Sequence, residues 1–381
     1  MNSRWAILGL IFIARLSMGI QFQSIASVAP LVVSDLQIGY GQIGWLMGLY
    51  MLPGVVIAYP GGALGRRFGE RRLVLVGLAL MAVGGIATAA SGGFVLAAAG
   101  RVVSGAGGVL LNVMLTRMVA DWFAEHELAT AMSVMLTSWP VGIGITLATF
   151  GALASASSWR LAVHVTVVAS LLAFLLMVAL YRNPPRREAR VAGSALTPRD
   201  AWLSILAGIV WGLFNASYVV FLSFAPGFLV SRGASVPAAG AVTSLAIWVT
   251  LGSVPLGGLL ADRMRRPDLL TVVGSLLGMI ALLIFPSTTM PALSCFLVGV
   301  LAGAPPGAVM ALLPKALTPA ALTTGLGIYY TVFYLAMTVA PGLAGMLRDG
   351  TQEPAAPIVF AGALIAVPIL ALAAFRRVER R

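Results

Sequence analysis

Two arginines lie within long apolar stretches of the chain, Arg15 and Arg101. An arginine guanidinium stays charged in proteins and presents five N–H donors in a planar fork. None of the 12 acidic residues falls deep inside an apolar stretch, so no carboxylate of the chain is predicted to neutralise either charge. The partner would be helix-end carbonyls, water or a ligand. Forked donors without an internal counter-ion suit a carboxylate or a small inorganic anion.

Further polar and aromatic side chains recur at helical spacing in the same stretches. Arg101 and Asn112, for example, lie on one stripe of a helix with glycines between them. We predict that the following residues line a shared substrate cavity with the two arginines: Gln23, Asn112, Asn215, Tyr218, Tyr330 and Tyr334. The asparagines and tyrosines have a structural alternative, because asparagines also join membrane helices and aromatic residues also pack or lie at the lipid interface. Trp159 is expected at that interface.

Twelve apolar helices are predicted to position these side chains. The chain has 381 residues, of which 60% are hydrophobic and 9% charged, whereas soluble domains carry about 25% charged residues. A helix needs about 20 mostly apolar residues to cross the hydrocarbon core. The predicted spans are 5–29, 41–60, 73–91, 94–119, 128–152, 160–181, 201–229, 236–260, 269–287, 290–312, 322–346 and 356–375. The expected fold class is an all-α integral membrane protein with 12 transmembrane helices.

The net charge of +12 follows from where the basic residues lie between the spans. With a cytoplasmic N-terminus, only Arg160, Arg232 and Arg348 fall in outer connections, and most other basic residues fall on the cytoplasmic side. Cytoplasmic loops of membrane proteins carry such an excess of Lys and Arg. We therefore expect both termini in the cytoplasm, a location in the cell membrane (the inner membrane in a bacterium), and no nucleic-acid partner.

The spans divide into two related halves. The longest polar break, 182–200, separates a six-helix N-terminal bundle at 1–181 from a six-helix C-terminal bundle at 201–381. Gly62, followed by basic residues, recurs as Gly258 at an offset of 196 residues, again followed by basic residues. An even number of spans in each half makes the repeats parallel. Transporters built in this way bind substrate between the halves, near the middle of the membrane.

Three motifs resemble those of the major facilitator superfamily. Residues 62–72 (GALGRRFGERR) resemble its loop motif G-x-x-x-D-R-x-G-R-R, residues 258–266 resemble the second-half copy, and residues 101–107 resemble its fourth-span motif R-x-x-x-G-x-G. The resemblance covers the whole chain and implies two pseudo-symmetric six-helix bundles that rock around a central site. It implies a conformational role for Gly62, Arg66, Arg67, Gly69, Arg71, Gly258, Asp262, Arg263 and Arg266. The first loop string and residues 27–31 are similar to the cyanate-permease-like group.

The loop motif departs from the family at Arg66, where the family has an acid, and only Asp262 keeps that acid. In the family this acid is thought to hold one arrangement of the bundles, so the resemblance implies an asymmetric or differently built lock. The fifth span, with Trp139-Pro140 and few glycines, only partly matches the motif of proton-coupled drug exporters. This departure argues against drug antiport.

The expected function is secondary active transport of a small, anionic solute by alternating access, without a cofactor or a bound metal. A proton-coupled exporter of drugs or metabolites is the alternative, and it predicts a buried carboxylate that the spans lack. A receptor or structural membrane protein would share the fold. A phosphate-cradling G-x-x-x-x-G-K-[ST] loop is absent from the sequence, and two histidines with one cysteine disfavour an enzyme. Expected partners are the substrate, a coupling ion where transport is coupled, and the lipid bilayer, for a monomeric protein.

Overall fold

The computed structural model describes residues 4–58, 60–123, 127–182, 196–264 and 266–380, and these ranges are helical apart from short connections. The helices of the first half are α1 (Arg4–Ser27), α2 (Ala29–Leu36), α3 (Tyr40–Gly48), α4 (Pro53–Ile57), α5 (Gly61–Phe68), α6 (Glu70–Ala89), α7 (Phe94–Trp122), α8 (Leu128–Ala156) and α9 (Trp159–Leu180). Those of the second half are α10 (Pro198–Ser231), α11 (Val236–Met264), α12 (Pro267–Ile284), α13 (Pro291–Ala302), α14 (Pro305–Met310), α15 (Leu312–Ala316), α16 (Pro319–Thr351), α17 (Ala356–Leu364) and α18 (Ala366–Glu379).

The predicted number of spans and the all-α fold class are confirmed. Twelve segments among the described residues are long and apolar enough to cross a membrane. The eleventh span differs most from its predicted bounds, 322–346, because α16 runs from Pro319 to Thr351. The Thr318 hydroxyl accepts a hydrogen bond from the Ala321 N–H, which adds a first turn. The predicted linker, 182–200, falls largely outside the described residues, so its exact bounds stay a prediction.

Breaks in two spans leave backbone carbonyls without their helical donors. Between α3 and α4 the Tyr50 N–H turns to the Met47 carbonyl at 3.3 Å, so the Leu46 carbonyl loses the donor four residues ahead. Inside α8, Pro140 has no N–H for the Leu136 carbonyl. Both carbonyls become available to other donors.

The two halves meet most closely at one end of the molecule. An even number of spans puts both chain ends on one face, here called the terminal face, and the opposite one is the distal face. A Cβ atom on Gly44 would overlap the Pro341 carbonyl, and one on Gly48 would overlap the Thr338 carbonyl. Since α3 begins and α16 ends at the distal face, these close backbone contacts join the halves there.

The two loop motifs lie at the terminal face. In the first, Gly69 has a φ of 84°, a left-handed conformation that favours glycine. Glu70 pairs with Arg117 at 3.3 Å, and Arg71 donates to the Val178 carbonyl at 2.8 Å, both within the first half. Arg67 is exposed.

The other motif residues whose side chains the structure describes show no contact between the halves. Gly62 and Arg66 belong to α5, but their side chains lie outside the described part of the chain. Asp262, Arg263 and Arg266 are exposed, and within the described residues Asp262 has no hydrogen bond or ion pair. The conformational role of these motifs therefore stays a prediction.

Candidate functional site

Arg101 is held entirely by backbone carbonyls of its own half. Its Nε donates to the Leu46 carbonyl at 2.8 Å, Nη1 to the Gln21 carbonyl at 2.8 Å, and Nη2 to the Phe22 carbonyl at 2.9 Å. The guanidinium also lies 4.5 Å from the centre of the Tyr50 ring. The side chain is 1% exposed. Arg101 thus fastens α7 to α1 and α3 at the break that frees Leu46, and the geometry favours the structural alternative for it.

Arg15 is bound less completely. Its Nη1 donates to the Met135 and Leu136 carbonyls of α8, each at 3.1 Å, and to the Ser138 hydroxyl at 3.5 Å. Its Nε donates to Asn112 Oδ1 of α7 at 3.0 Å. Pro140 explains why the Leu136 carbonyl can accept this bond. Among the described residues these bonds use only Nε and Nη1, so Nη2 has no hydrogen-bond partner there, and Arg15 retains 8% exposure. Arg15 is therefore a buried cation with one uncommitted pair of N–H donors.

Side chains of the second half approach Arg15 from α16. Tyr330 and Tyr334 lie within electrostatic range of the Arg15 guanidinium, and the Tyr334 hydroxyl lies beside the Asn112 amide. Because Arg15 Nε can only donate, its partner on Asn112 must be the oxygen, which leaves the amide nitrogen to donate elsewhere. Four of the residues predicted for the site, from three helices and both halves, are thus brought together.

The other candidates lie away from this group. Gln23 is fully buried and its Nε2 donates to the Leu222 carbonyl of α10 at 3.2 Å. Asn215 Nδ2 donates to the Trp211 carbonyl of its own helix at 2.8 Å. The Tyr218 hydroxyl donates to the Ala246 carbonyl of α11 at 2.8 Å. The Asn215 bond lies within one helix, whereas the Gln23 and Tyr218 bonds join two helices; a substrate role for these three residues stays a prediction.

Aromatic residues of both halves, Tyr330 and Tyr334 among them, belong to one apolar cluster. In the first half the Phe22 ring lies 5.1 Å from the Trp139 ring, centroid to centroid. In the second half the Phe333 ring lies 6.2 Å from Tyr330 and 5.2 Å from Tyr334. Trp139, Tyr330 and Phe333 are only partly buried.

Sequence reasoning missed Gln21 and misplaced Trp159. Gln21 donates to the Met81 carbonyl at 2.8 Å and accepts from the Tyr50 hydroxyl at 3.4 Å; a second amide in the first span was the available signal. The interface position expected for Trp159 was wrong: the residue is 3% exposed and its Nε1 donates to Asp35 Oδ2 at 2.9 Å.

Known transporters are similar to this chain over nearly its full length. An uncharacterized transporter, YycB of Bacillus subtilis (strain 168), is 26% identical over 94% of this chain and 90% of its own length. The 3-(3-hydroxy-phenyl)propionate transporter of Escherichia coli (strain K12) is 26% identical over 98% of this chain and 94% of its own length.

A solved structure and a family model identify the fold. A bacterial homolog of the human lysosomal transporter Spinster, in an inward-facing and unoccupied conformation, has a TM-score of 0.76 at 17% identity and covers 100% of this chain and 98% of its own. The model described as Major Facilitator Superfamily matches residues 11–341 and, in a second match, 203–381. The chain belongs to the Major Facilitator Superfamily and is a multi-pass membrane transporter.

Proposed function

We propose that this protein moves a small organic anion, a carboxylate, across the membrane, and that Arg15 is the cation that receives it. The observation that carries the proposal is the uncommitted Nη2 of a buried arginine that has no carboxylate near it among the described residues. An arginine at the centre of a membrane helix costs about 2.5–3.5 kcal/mol on insertion scales. Two carbonyls and one amide oxygen offset part of that cost, and a bound anion would supply the missing counter-charge.

In this proposal three donors bind the anion. They are Arg15 Nη2, the nitrogen of the Asn112 amide and the Tyr334 hydroxyl. The first two belong to the N-terminal half and the third to the C-terminal half. A ligand held by all three would contact both bundles, as alternating access around a central site requires.

The aromatic residues that share a cluster with Tyr330 and Tyr334 favour an organic anion over an inorganic one. Trp139, Tyr330 and Phe333 offer apolar ring surface, which suits the hydrocarbon body of a carboxylate and gives nothing to nitrate or a similar ion. The relative named for 3-(3-hydroxy-phenyl)propionate transports a molecule of this kind. A polyhydroxylated acid would need more polar partners than these rings provide.

The closed distal face supports an inward-facing arrangement. If the terminal face is cytoplasmic, as the basic residues predict, the contacts at Gly44 and Gly48 close the outer side. The halves 1–181 and 201–381 would then rock as two bodies joined by 182–200. A reporter that fluoresces only in the cytoplasm should fluoresce when it is fused to the C-terminus. A functional fusion protein without fluorescence would show the opposite orientation.

Ligand-dependent stabilisation of the purified protein tests the proposed function. We expect aromatic monocarboxylates to raise its Tm more than dicarboxylates or inorganic anions do, and to be carried into proteoliposomes. Arg15→Gln should weaken binding at least about tenfold, since a charge-assisted hydrogen bond contributes roughly 1.5–3 kcal/mol. The matched control is Arg232→Gln, because Arg232 is an exposed distal residue that donates to the Pro286 carbonyl. Unchanged affinity in Arg15→Gln would refute the assignment.

A further inference from the structure

The Asp349 carboxylate crosses from the second half of the protein to the first. Its Oδ1 accepts the Tyr40 N–H at 2.9 Å, and its Oδ2 accepts the Gly41 N–H at 2.7 Å. Tyr40 and Gly41 are the first residues of α3, whose opening N–H groups have no helical acceptor. The same end of the helix carries the positive pole of its dipole. One ionised side chain thus satisfies two backbone donors of a helix in the other bundle.

We propose that Asp349 is the latch that holds the distal face closed. In this arrangement its carboxylate caps α3 and joins the two bundles where they must separate for the site to open on that side. Neither loop motif at the terminal face supplies such a contact within the described residues. The latch is independent of which solute the protein carries.

The surrounding residues fit a contact made for close approach. A Cβ atom on Gly39 would lie 2.5 Å from Asp349 Oδ2, and one on Gly345 would overlap the Tyr40 carbonyl. The Arg348 guanidinium lies 3.4 Å from the centre of the Tyr40 ring. The last turns of α16 therefore contact the start of α3 in three ways: through the Asp349 carboxylate, the Gly345 backbone and the Arg348 guanidinium.

The latch can open because both of its parts can be hydrated. Asp349 is only partly buried, and the first residues of α3 lie at the distal face. When the bundles separate, water can replace the carboxylate at the two N–H groups and replace those groups at the carboxylate. Arg101 differs in this respect, since it is buried and its acceptors all belong to its own half. Asp349 therefore favours the closed arrangement of the distal face but still allows it to open.

Spin labels on the distal face measure that equilibrium directly. Ser34 of the first half and Thr289 of the second are exposed there, and the native Cys295 is buried, so Ser34→Cys and Thr289→Cys can be labelled in the full chain. Asp349→Asn removes the charge and one acceptor. Gly39→Ala keeps the carboxylate but displaces it. The controls are Glu353→Gln, which removes an exposed distal acid, and Gly350→Ala, whose added Cβ meets nothing within 4 Å.

We expect the label-to-label distance distribution of the parent protein to be dominated by one short component. Asp349→Asn and Gly39→Ala should each raise the ratio of long to short component by about tenfold or more, which corresponds to about 1.4 kcal/mol. The two controls should leave it unchanged. The proposal is overturned if both latch variants give the distribution of the parent protein. It is also overturned if Glu353→Gln opens the distal face as far as Asp349→Asn does. Gly39→Ala keeps the test decisive should Asp349→Asn fail to fold.

Discussion

Arg15 and Asn112 are joined by a hydrogen bond of 3.0 Å from Nε to Oδ1 across two helices of the N-terminal half. This bond and the three to α8 leave Nη2 without a partner among the described residues. Arg101, in the same half, engages Nε, Nη1 and Nη2 with carbonyls. The two buried arginines should therefore respond differently to substitution.

Arg101→Gln should destabilise the fold. The change removes three charge-assisted hydrogen bonds and leaves buried carbonyls without donors, at a cost of at least about 2 kcal/mol. Thermal unfolding in detergent should show a lower Tm than that of the parent protein. Anion affinity per folded molecule should remain unchanged. A loss of affinity with no loss of stability would mean that Arg101 binds the solute.

Tyr334→Phe should lower anion affinity by about three- to tenfold with little effect on stability. The hydroxyl lies beside the Asn112 amide, where a neutral hydrogen bond contributes about 0.5–1.5 kcal/mol. Tyr218→Phe is the matched control, because the Tyr218 hydroxyl is occupied by the Ala246 carbonyl. Equal affinities of the two variants would remove Tyr334 from the site.

Gly44→Ala should force the distal ends of α3 and α16 apart, since its Cβ would overlap the Pro341 carbonyl. We expect a polar thiol reagent that is applied from the distal side to react with cysteines introduced between the two bundles, deeper in the protein than this contact. Gly9→Ala in α1 is the control, as its Cβ would meet nothing within 4 Å. Unaltered access in Gly44→Ala would show that the helices tolerate a methyl group there.

Trp159→Phe should make stability less sensitive to acid. The pKa of Asp35 lies below its ordinary value of 3.8, chiefly because Trp159 donates a hydrogen bond to the carboxylate and, to a smaller extent, because Arg160 also pairs with it. A carboxyl group with a lowered pKa contributes stability above that ordinary value and loses it as the pH falls below it. The Tm difference between Trp159→Phe and the parent protein should be full at pH 7 and shrink below about pH 4. A Tm difference that persists at low pH would show that Trp159 stabilises the protein by packing alone.

Hydropathy alone predicted the number of spans, because lipid imposes a minimum apolar length on each helix. It also singled out Arg15 and Arg101 as costly buried charges. Hydropathy could not distinguish the two arginines, because their acceptors arise from breaks in neighbouring helices. Arg101 uses a carbonyl freed by the break after Gly48, and Arg15 uses one freed by Pro140. The sequence places Asp349 beside a loop, where it resembles an ordinary surface acid. The contact that Asp349 makes with the other half is visible only in the structure, where its carboxylate accepts the Tyr40 N–H.

Asn112→Asp tests the anion-receptor role of Arg15 most directly. The new carboxylate would lie within hydrogen-bond distance of Arg15 and supply the counter-charge that the solute is proposed to bring. Asn215→Asp is the matched control, since the Asn215 amide donates to the Trp211 carbonyl of its own helix. We expect isothermal titration of the purified variants with an aromatic monocarboxylate to give at least tenfold weaker binding, roughly, for Asn112→Asp and parent-like binding for Asn215→Asp. Parent-like affinity in Asn112→Asp would contradict the role of Arg15.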